Sequence, residues 1–208
     1  MSKATFVLDK RTLDTGDYKR MRLPETYWDV TLDQLSPLVR GTVENYFAQV
    51  TYFYKRGIGL ILAGPDGGGK TIALVAIAKE LAAWRSSVLY GDVLEIREQL
   101  RMNASYDDEL SLMERLRSVP TLMLDGLTVE DATARSFAFK DITGLIRYRA
   151  MRGLVTFSAL SCEEMDMRRG PLLDFLKVLL GVSVRVFVPG GDGRCRQDQE
   201  ARQRLALR

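Results

Sequence analysis

The chain has 208 residues, 46% hydrophobic and 27% charged, the composition of one globular domain with room for a sizeable core. A formal charge of +3 and an isoelectric point near 8.9 permit contact with nucleic acid without the dense charge of a coating protein. Histidine is absent and the two cysteines, Cys162 and Cys195, are far apart with no CxxC spacing, which excludes histidine-based catalysis, structural zinc and a disulfide framework.

Met1 to Asp9 has neither the basic start nor the apolar stretch of a signal peptide, and no apolar run reaches the roughly 18 residues of a membrane span. A soluble cytoplasmic protein is expected. The first 55 residues read as a mixed polar arm that ends in a helix, Pro37 to Lys55, whose aromatics Tyr46, Phe47, Tyr52, Phe53 and Tyr54 are expected to pack inward. Five short apolar runs follow, at Ile58–Ala63, Val88–Tyr90, Val119–Leu124, Leu154–Phe157 and Val184–Val188, each of strand length. Segments long enough for helices separate them. Alternation of this kind predicts a five-stranded parallel sheet sandwiched by helices over 56–189, with no helical lid domain.

Between the first two runs, Thr71 to Trp84 is apolar nearly all round, as expected of a helix wedged against a sheet. Asp92 and Glu95 stand in the positions of a helix capping pair. Arg101 to Asp108 reads as a polar loop, and 190–208 as a flexible basic tail with little to bury.

Between the first strand and the Thr71 helix lies Gly64-Pro65-Asp66-Gly67-Gly68-Gly69-Lys70-Thr71, a complete GxxxxGK[ST] phosphate-binding loop. Its glycines let backbone N–H groups curl around phosphate, and the helix N-terminus beyond, from Ile72 on, adds positive potential. In such a loop Lys70 reaches the β- and γ-phosphates and the Thr71 hydroxyl ligates Mg²⁺. Leu122-Met123-Leu124-Asp125 supplies the strand-end carboxylate that the ion needs, and Asp125 is therefore the second metal candidate. A strand-end aspartate that merely caps the next turn is the bland alternative. No NKxD guanine reader is present, which favours ATP over GTP.

The chain resembles the helicase-loader and IstB-type branch of the AAA+ ATPases, the family of DnaC, DnaI and the transposition helper IstB. The resemblance covers about Leu23 to Pro189 and rests on Leu23-Pro24 with Tyr27 ahead of the core, GIGLILAGPDGGGKT, SVLYGDVLEIREQL and TLMLDGL. It implies a P-loop ATPase core of AAA+ type and ATP–Mg²⁺ held between protomers of a ring or spiral on DNA. The implied partner is a replicative helicase or a transposase.

Three features depart from the family pattern. Asp125 is followed by Gly126 rather than a second acid, with Glu130 four residues beyond. The sensor asparagine of strand four falls near Ser158 and Ala159, where only Thr156 and Ser158 offer a polar group. Where an arginine should reach a neighbour's γ-phosphate, Leu172 to Gly181 holds Lys177, which carries the charge without the planar fork. Arg168 and Arg169 are the alternative. Together these imply slow or weak hydrolysis.

The resemblance brings Tyr27 and Trp28 near the adenine, where either can wall off the base; Trp28 can equally anchor the arm to the core. Candidates for DNA contact are Arg135, Lys140, Arg147, Arg149 and Arg152, with Arg194, Arg196, Arg202, Arg204 and Arg208 in the tail; a solvated helix face is the plain alternative. The expected function is a helicase loader or transposition helper acting in DNA replication or transposition by nucleotide-gated assembly. A degenerate AAA+ interaction subunit with structural nucleotide is the second reading, and a small-molecule kinase the third.

Overall fold

The computed structural model describes residues 10–101, 106–128, 137–162 and 183–189. Short helices α1 (Thr15–Arg20), α2 (Pro37–Ala48) and α3 (Val50–Tyr54) precede β1 (Gly59–Gly64) and α4 (Lys70–Ala83). There follow β2 (Val88–Asp92), α5 (Val93–Arg101), α6 (Tyr106–Ser118), β3 (Thr121–Thr128), α7 (Phe137–Met151), β4 (Val155–Ser161) and β5 (Ser183–Phe187). All five strands run parallel in the order β2-β3-β4-β1-β5.

Strand periodicity sorts the core into two layers. Leu60 and Leu62 of β1, Tyr90, Met123, Phe157 and Val186 face one side, which α2, α4 and the arm cover. Ile61 and Ala63, Leu89, Leu122, Leu124 and Leu160 face the other, against α5, α6 and α7. Four buried alanines, Ala73, Ala76, Ala78 and Ala82, let α4 lie close to the sheet. Polar side chains therefore collect at the rims where strands begin or end.

The strands extend beyond the apolar runs that mark them in the sequence. β3 continues from Leu124 through a bulge to Thr128, and β4 from Phe157 to Ser161, because the strand ends that face the site are small and polar. The expected helix 37–55 breaks at Gln49, whose φ of −120° and ψ of 18° leave the helical region, and Tyr52 points to solvent rather than inward. Tyr46 is the most deeply placed aromatic of that stretch; its hydroxyl donates to the Ile58 carbonyl at 2.7 Å. Within the expected loop, Arg101 closes α5 and Tyr106 opens α6. The tail from 190 lies outside the described residues.

Arg149 of α7 is fully buried, which removes it from the candidates for DNA contact. Its five N–H donors all find acceptors: Nε on Thr156 Oγ1 at 3.0 Å, and the terminal nitrogens on the carbonyls of Leu116, Val119, Pro120 and Val155 at 2.7 to 3.5 Å. One side chain thus ties the end of α6 to the starts of β3 and β4. Burial pushes the guanidinium down to about 10. Arg149→Met strands four carbonyls, and urea denaturation is expected to show a loss of about 3 kcal/mol.

The arm is held by a second charged centre. Asp17 is buried and accepts from Arg11 at 2.6 and 2.7 Å, from Arg20, and from the Asp14 N–H at 3.1 Å. Hydrogen bonding from Arg11 holds its carboxyl well below the usual range despite burial. A folded-state value below the unfolded one means that this stabilisation is present above about pH 4 and fades as pH falls through the folded value. Urea titrations should find wild type more stable than Asp17→Asn at pH 7, with the gap narrowing below about pH 4.

Candidate functional site

β1 ends at Gly64, and the backbone there comes so close to the chain just past β5 that a Cβ would stand 2.0 Å from the Val188 carbonyl oxygen. Gly67 and Gly69 take positive φ, 79° and 86°, and Gly69 is the residue on which α4 starts. These turns need glycine, and they lead into the first turn of α4, whose N–H groups have no partner within the helix. Pro65 and Asp66 form the outer wall of the loop, and Asp66 accepts from Ser161 Oγ at 2.6 Å. Gly68 packs under it, close to the Pro189 carbonyl.

Lys70 is buried at the mouth of the loop, its ammonium donating to the Pro65 carbonyl at 2.7 Å and lying 3.8 Å from Asp66 Oδ1. Thr71 Oγ1 donates to Asp125 Oδ1 at 3.2 Å, so the two metal candidates meet although 54 residues separate them. Asp125 is buried and also accepts from the Gly126 N–H at 2.9 Å and from the Tyr90 hydroxyl at 2.6 Å. Burial and the Asp125 charge together push the Tyr90 phenol up, so it stays a proton donor. Ile72 sits half-buried in the first turn of α4, packed on the arm side of the core.

Tyr90 is a contribution that the reading of residue types passes over, since a hydroxyl inside an apolar strand is the single signal for it. Ser161 is another. The structure carries β4 past Thr156 and Ser158, and it is Ser161 that reaches the loop, paired in register with Gly64. Thr156 instead binds Arg149 at the opposite rim, and Ser158 is buried in mid-strand between Ile61 and Leu124. Ala159 belongs to the core on the α4 face.

The residue after Asp125 has φ of 75°, a conformation suited to glycine, and a Cβ there would lie 3.1 Å from Asp92 Oδ2. Asp92 is paired in register with Asp125. Its Oδ1 caps α5 by accepting from the Leu94 and Glu95 N–H groups at 2.8 and 3.1 Å; Glu95 itself reaches Arg22 at 3.5 Å instead of closing a capping box. Tyr27 is half-buried on the same side, its phenol raised by burial first and then by Asp125 and Asp92. Trp28 anchors the arm: its Nε1 donates to the Leu23 carbonyl at 3.0 Å, and Lys79 donates to the carbonyls of Trp28 and Val30.

Among the described residues no three carboxylate or cysteine groups converge on one point. The Thr71–Asp125 pair therefore suits Mg²⁺ that brings water and phosphate oxygens as its remaining ligands. Lys177, Glu130, Arg168 and Arg169 lie outside the described residues, as does Arg135. Of the cations proposed for DNA, Arg147 and Arg152 are exposed on and just after α7; Arg152 stacks on Tyr148 with 4.6 Å to the ring centre. Tyr90→Phe removes the buried donor on Asp125 Oδ2. It is expected to weaken Mg²⁺-dependent nucleotide affinity about tenfold while leaving Mg²⁺-free affinity unchanged, measured by fluorescent-nucleotide titration.

No family model matches the chain. It is 34% identical over 119 residues to the replicative helicase loader DnaI of Bacillus subtilis (strain 168), a match that covers 53% of this chain and 37% of that protein. The chain thus spans little more than a third of that relative's length. Among solved structures it is similar to DnaI (TM-score 0.65, 22% identity, 82% of this chain and 94% of the other). It is also similar to the DnaC helicase loader (0.64, 17%, 79% and 99%) and to the replication initiator DnaA bound to AMPPCP and single-stranded DNA (0.63, 14%, 79% and 51%). Among the described residues no helix is long and apolar enough to cross a membrane. In sequence and in fold together, the chain is similar to the DnaI and DnaC helicase-loader family of AAA+ P-loop proteins.

Proposed function

We propose that the chain binds ATP–Mg²⁺ in the Gly64–Thr71 loop and acts as a loader-type assembly factor on DNA, with a replicative helicase as its partner. The observation that carries this reading is the meeting of Thr71 and Asp125 at 3.2 Å beneath a complete phosphate loop with Lys70 at its mouth. Likeness to DnaI and DnaC supplies the partner class.

When bound, ATP supplies the γ-phosphate whose presence or loss distinguishes two assembly states. The chain's own residues account for binding and for its ion. Lys70, now on the Pro65 carbonyl, would serve phosphate oxygens, and the N–H groups of the first turn of α4 would add positive potential to the same site. Thr71 and Asp125 would hold the ion, with Tyr90 fixing the carboxylate. Ser161 steadies the loop through Asp66.

Weak hydrolysis is supported at Gly126. The backbone there is left-handed and pressed against Asp92, so no second acid stands on β3 to orient an attacking water. This same observation favours the second reading, a nucleotide-holding interaction subunit with no turnover. Work on a transposase in place of a helicase shares all of the site chemistry.

Size-exclusion light scattering with and without ATP–Mg²⁺ and a short single-stranded DNA tests the proposal, beside phosphate release from the same sample. Expected are nucleotide-dependent assembly on DNA that Lys70→Ala abolishes, and turnover below about one per minute, against a median near 10 s⁻¹ for enzymes at large. A monomer indifferent to ATP and DNA overturns the loader reading.

A further inference from the structure

The rim of the sheet opposite the phosphate loop carries a second cationic cavity, of about 370 Å³. It lies where β2 and β3 begin, about 20 Å from the loop, the length of the 14-residue α4. Four arginines line it, Arg11, Arg20, Arg85 and Arg115, against one carboxylate, Asp17. Asp17 is already saturated by Arg11 and Arg20, while Arg85 and Arg115 have no ion-pair partner among the described residues. Hydroxyls of Ser86, Ser87 and Ser118 complete the lining.

The backbone at Arg85 is a second, independent observation. α4 ends in a Schellman turn: the Ser86 N–H bonds the Leu81 carbonyl at 3.0 Å and the Arg85 N–H the Ala82 carbonyl at 2.9 Å. This puts Arg85 at the left-handed position, φ 63°, that glycine occupies most readily. The chain does use glycine at the corresponding turns after α3 and α7, Gly57 and Gly153. The other arginine so placed, Arg22, pairs with Glu95, whereas Arg85 is exposed and lines the cavity. A non-glycine residue kept at this position, with its side chain lining a cavity, is consistent with a role for that side chain beyond the turn.

A third observation narrows the ligand. Arg85 and Ser86 are shared with an adjoining apolar groove of about 410 Å³, walled by Val50, Tyr54, Leu81 and Trp84. Ser86 is fixed between the two by hydrogen bonds to Tyr54 and Thr121. Guanidinium forks and hydroxyls suit phosphate oxygens, and an aromatic-walled groove beside them suits a flat apolar body. Both volumes fall in the range of small-molecule sites, whereas an extended nucleic-acid strand needs an open track.

We propose that Arg85 and Arg115 form a second anion site that takes a nucleotide, its phosphates among the arginines and its base in the Tyr54–Trp84 groove. The test uses the 208-residue chain carrying Lys70→Ala, which disables the phosphate loop, and Trp28→Phe, which leaves Trp84 as the sole tryptophan of two. ADP and pyrophosphate are titrated by Trp84 fluorescence and by calorimetry. Expected is saturable ADP binding that alters Trp84 emission, weaker binding of pyrophosphate, and at least tenfold loss of both in Arg85→Gly and in Arg115→Gln. Arg85→Gly should melt no lower than its parent, because glycine fits the turn; should it unfold, Arg115→Gln carries the comparison alone.

Absence of saturable binding overturns the proposal. So does binding indifferent to both substitutions, the behaviour of residual occupancy in the phosphate loop. Equal affinity for ADP and pyrophosphate overturns the base-accepting role of the groove. Binding of an oligothymidylate that the same substitutions abolish, with ADP inert, assigns the patch to nucleic acid and overturns the nucleotide site.

Discussion

Packing of the sheet between two helical layers leaves charged groups few places other than the rims, and a charged group that stays inside has to be hydrogen-bonded there. Arg149 shows how demanding that condition is. A guanidinium with no carboxylate partner is held by four carbonyls and a hydroxyl, and in return it binds three chain segments together at the lower rim. The upper rim is organised by Asp125 in the same manner, with Thr71, Gly126 and Tyr90 donating to its two oxygens. Each centre joins elements far apart in the chain, and each is surrounded by packing that excludes the water that would otherwise compete for those bonds.

The two charged centres differ in what they leave available. Arg149 has every donor spent and acts as a structural clamp. Asp125 keeps one oxygen on a threonine hydroxyl that can rotate, and Lys70 rests on a backbone carbonyl with the Asp66 carboxylate at the longer distance of 3.8 Å. Both arrangements are inexpensive to undo, which is what a phosphate site requires. A lysine locked in a short ion pair would resist its ligand by the strength of that pair.

Much of this was legible in the amino-acid order. Apolar runs of strand length alternating with helical segments give the parallel sheet, and the glycine pattern before Lys70 gives the loop, because both depend on local residue type. The limits of the elements were less legible, for a physical reason. Hydrophobic runs mark where a strand is buried, while β3 and β4 continue into the site on Gly126, Thr128 and Ser161, residues that carry little apolar signal. Tyr90 and Ser161 escaped because their roles exist only through cross-strand register. Arg149 was misplaced as a surface cation because helical spacing cannot say how deep a face lies once a long side chain can bend around the end of a neighbouring strand.

Gly64 has a meaning that extends to descent. A side chain there would collide with the backbone of Val188, just past β5, whatever is or is not bound nearby. Selection for a folded sheet is therefore enough to preserve it, even in a lineage that has abandoned nucleotides. Lys70 sits differently: a substitution there meets no backbone, and its ammonium rests on the Pro65 carbonyl and near the Asp66 carboxylate, both inside the loop itself. Among related chains, erosion of the ancestral activity should register first as replacement of that lysine, while the glycine at the end of β1 outlasts the function it once served.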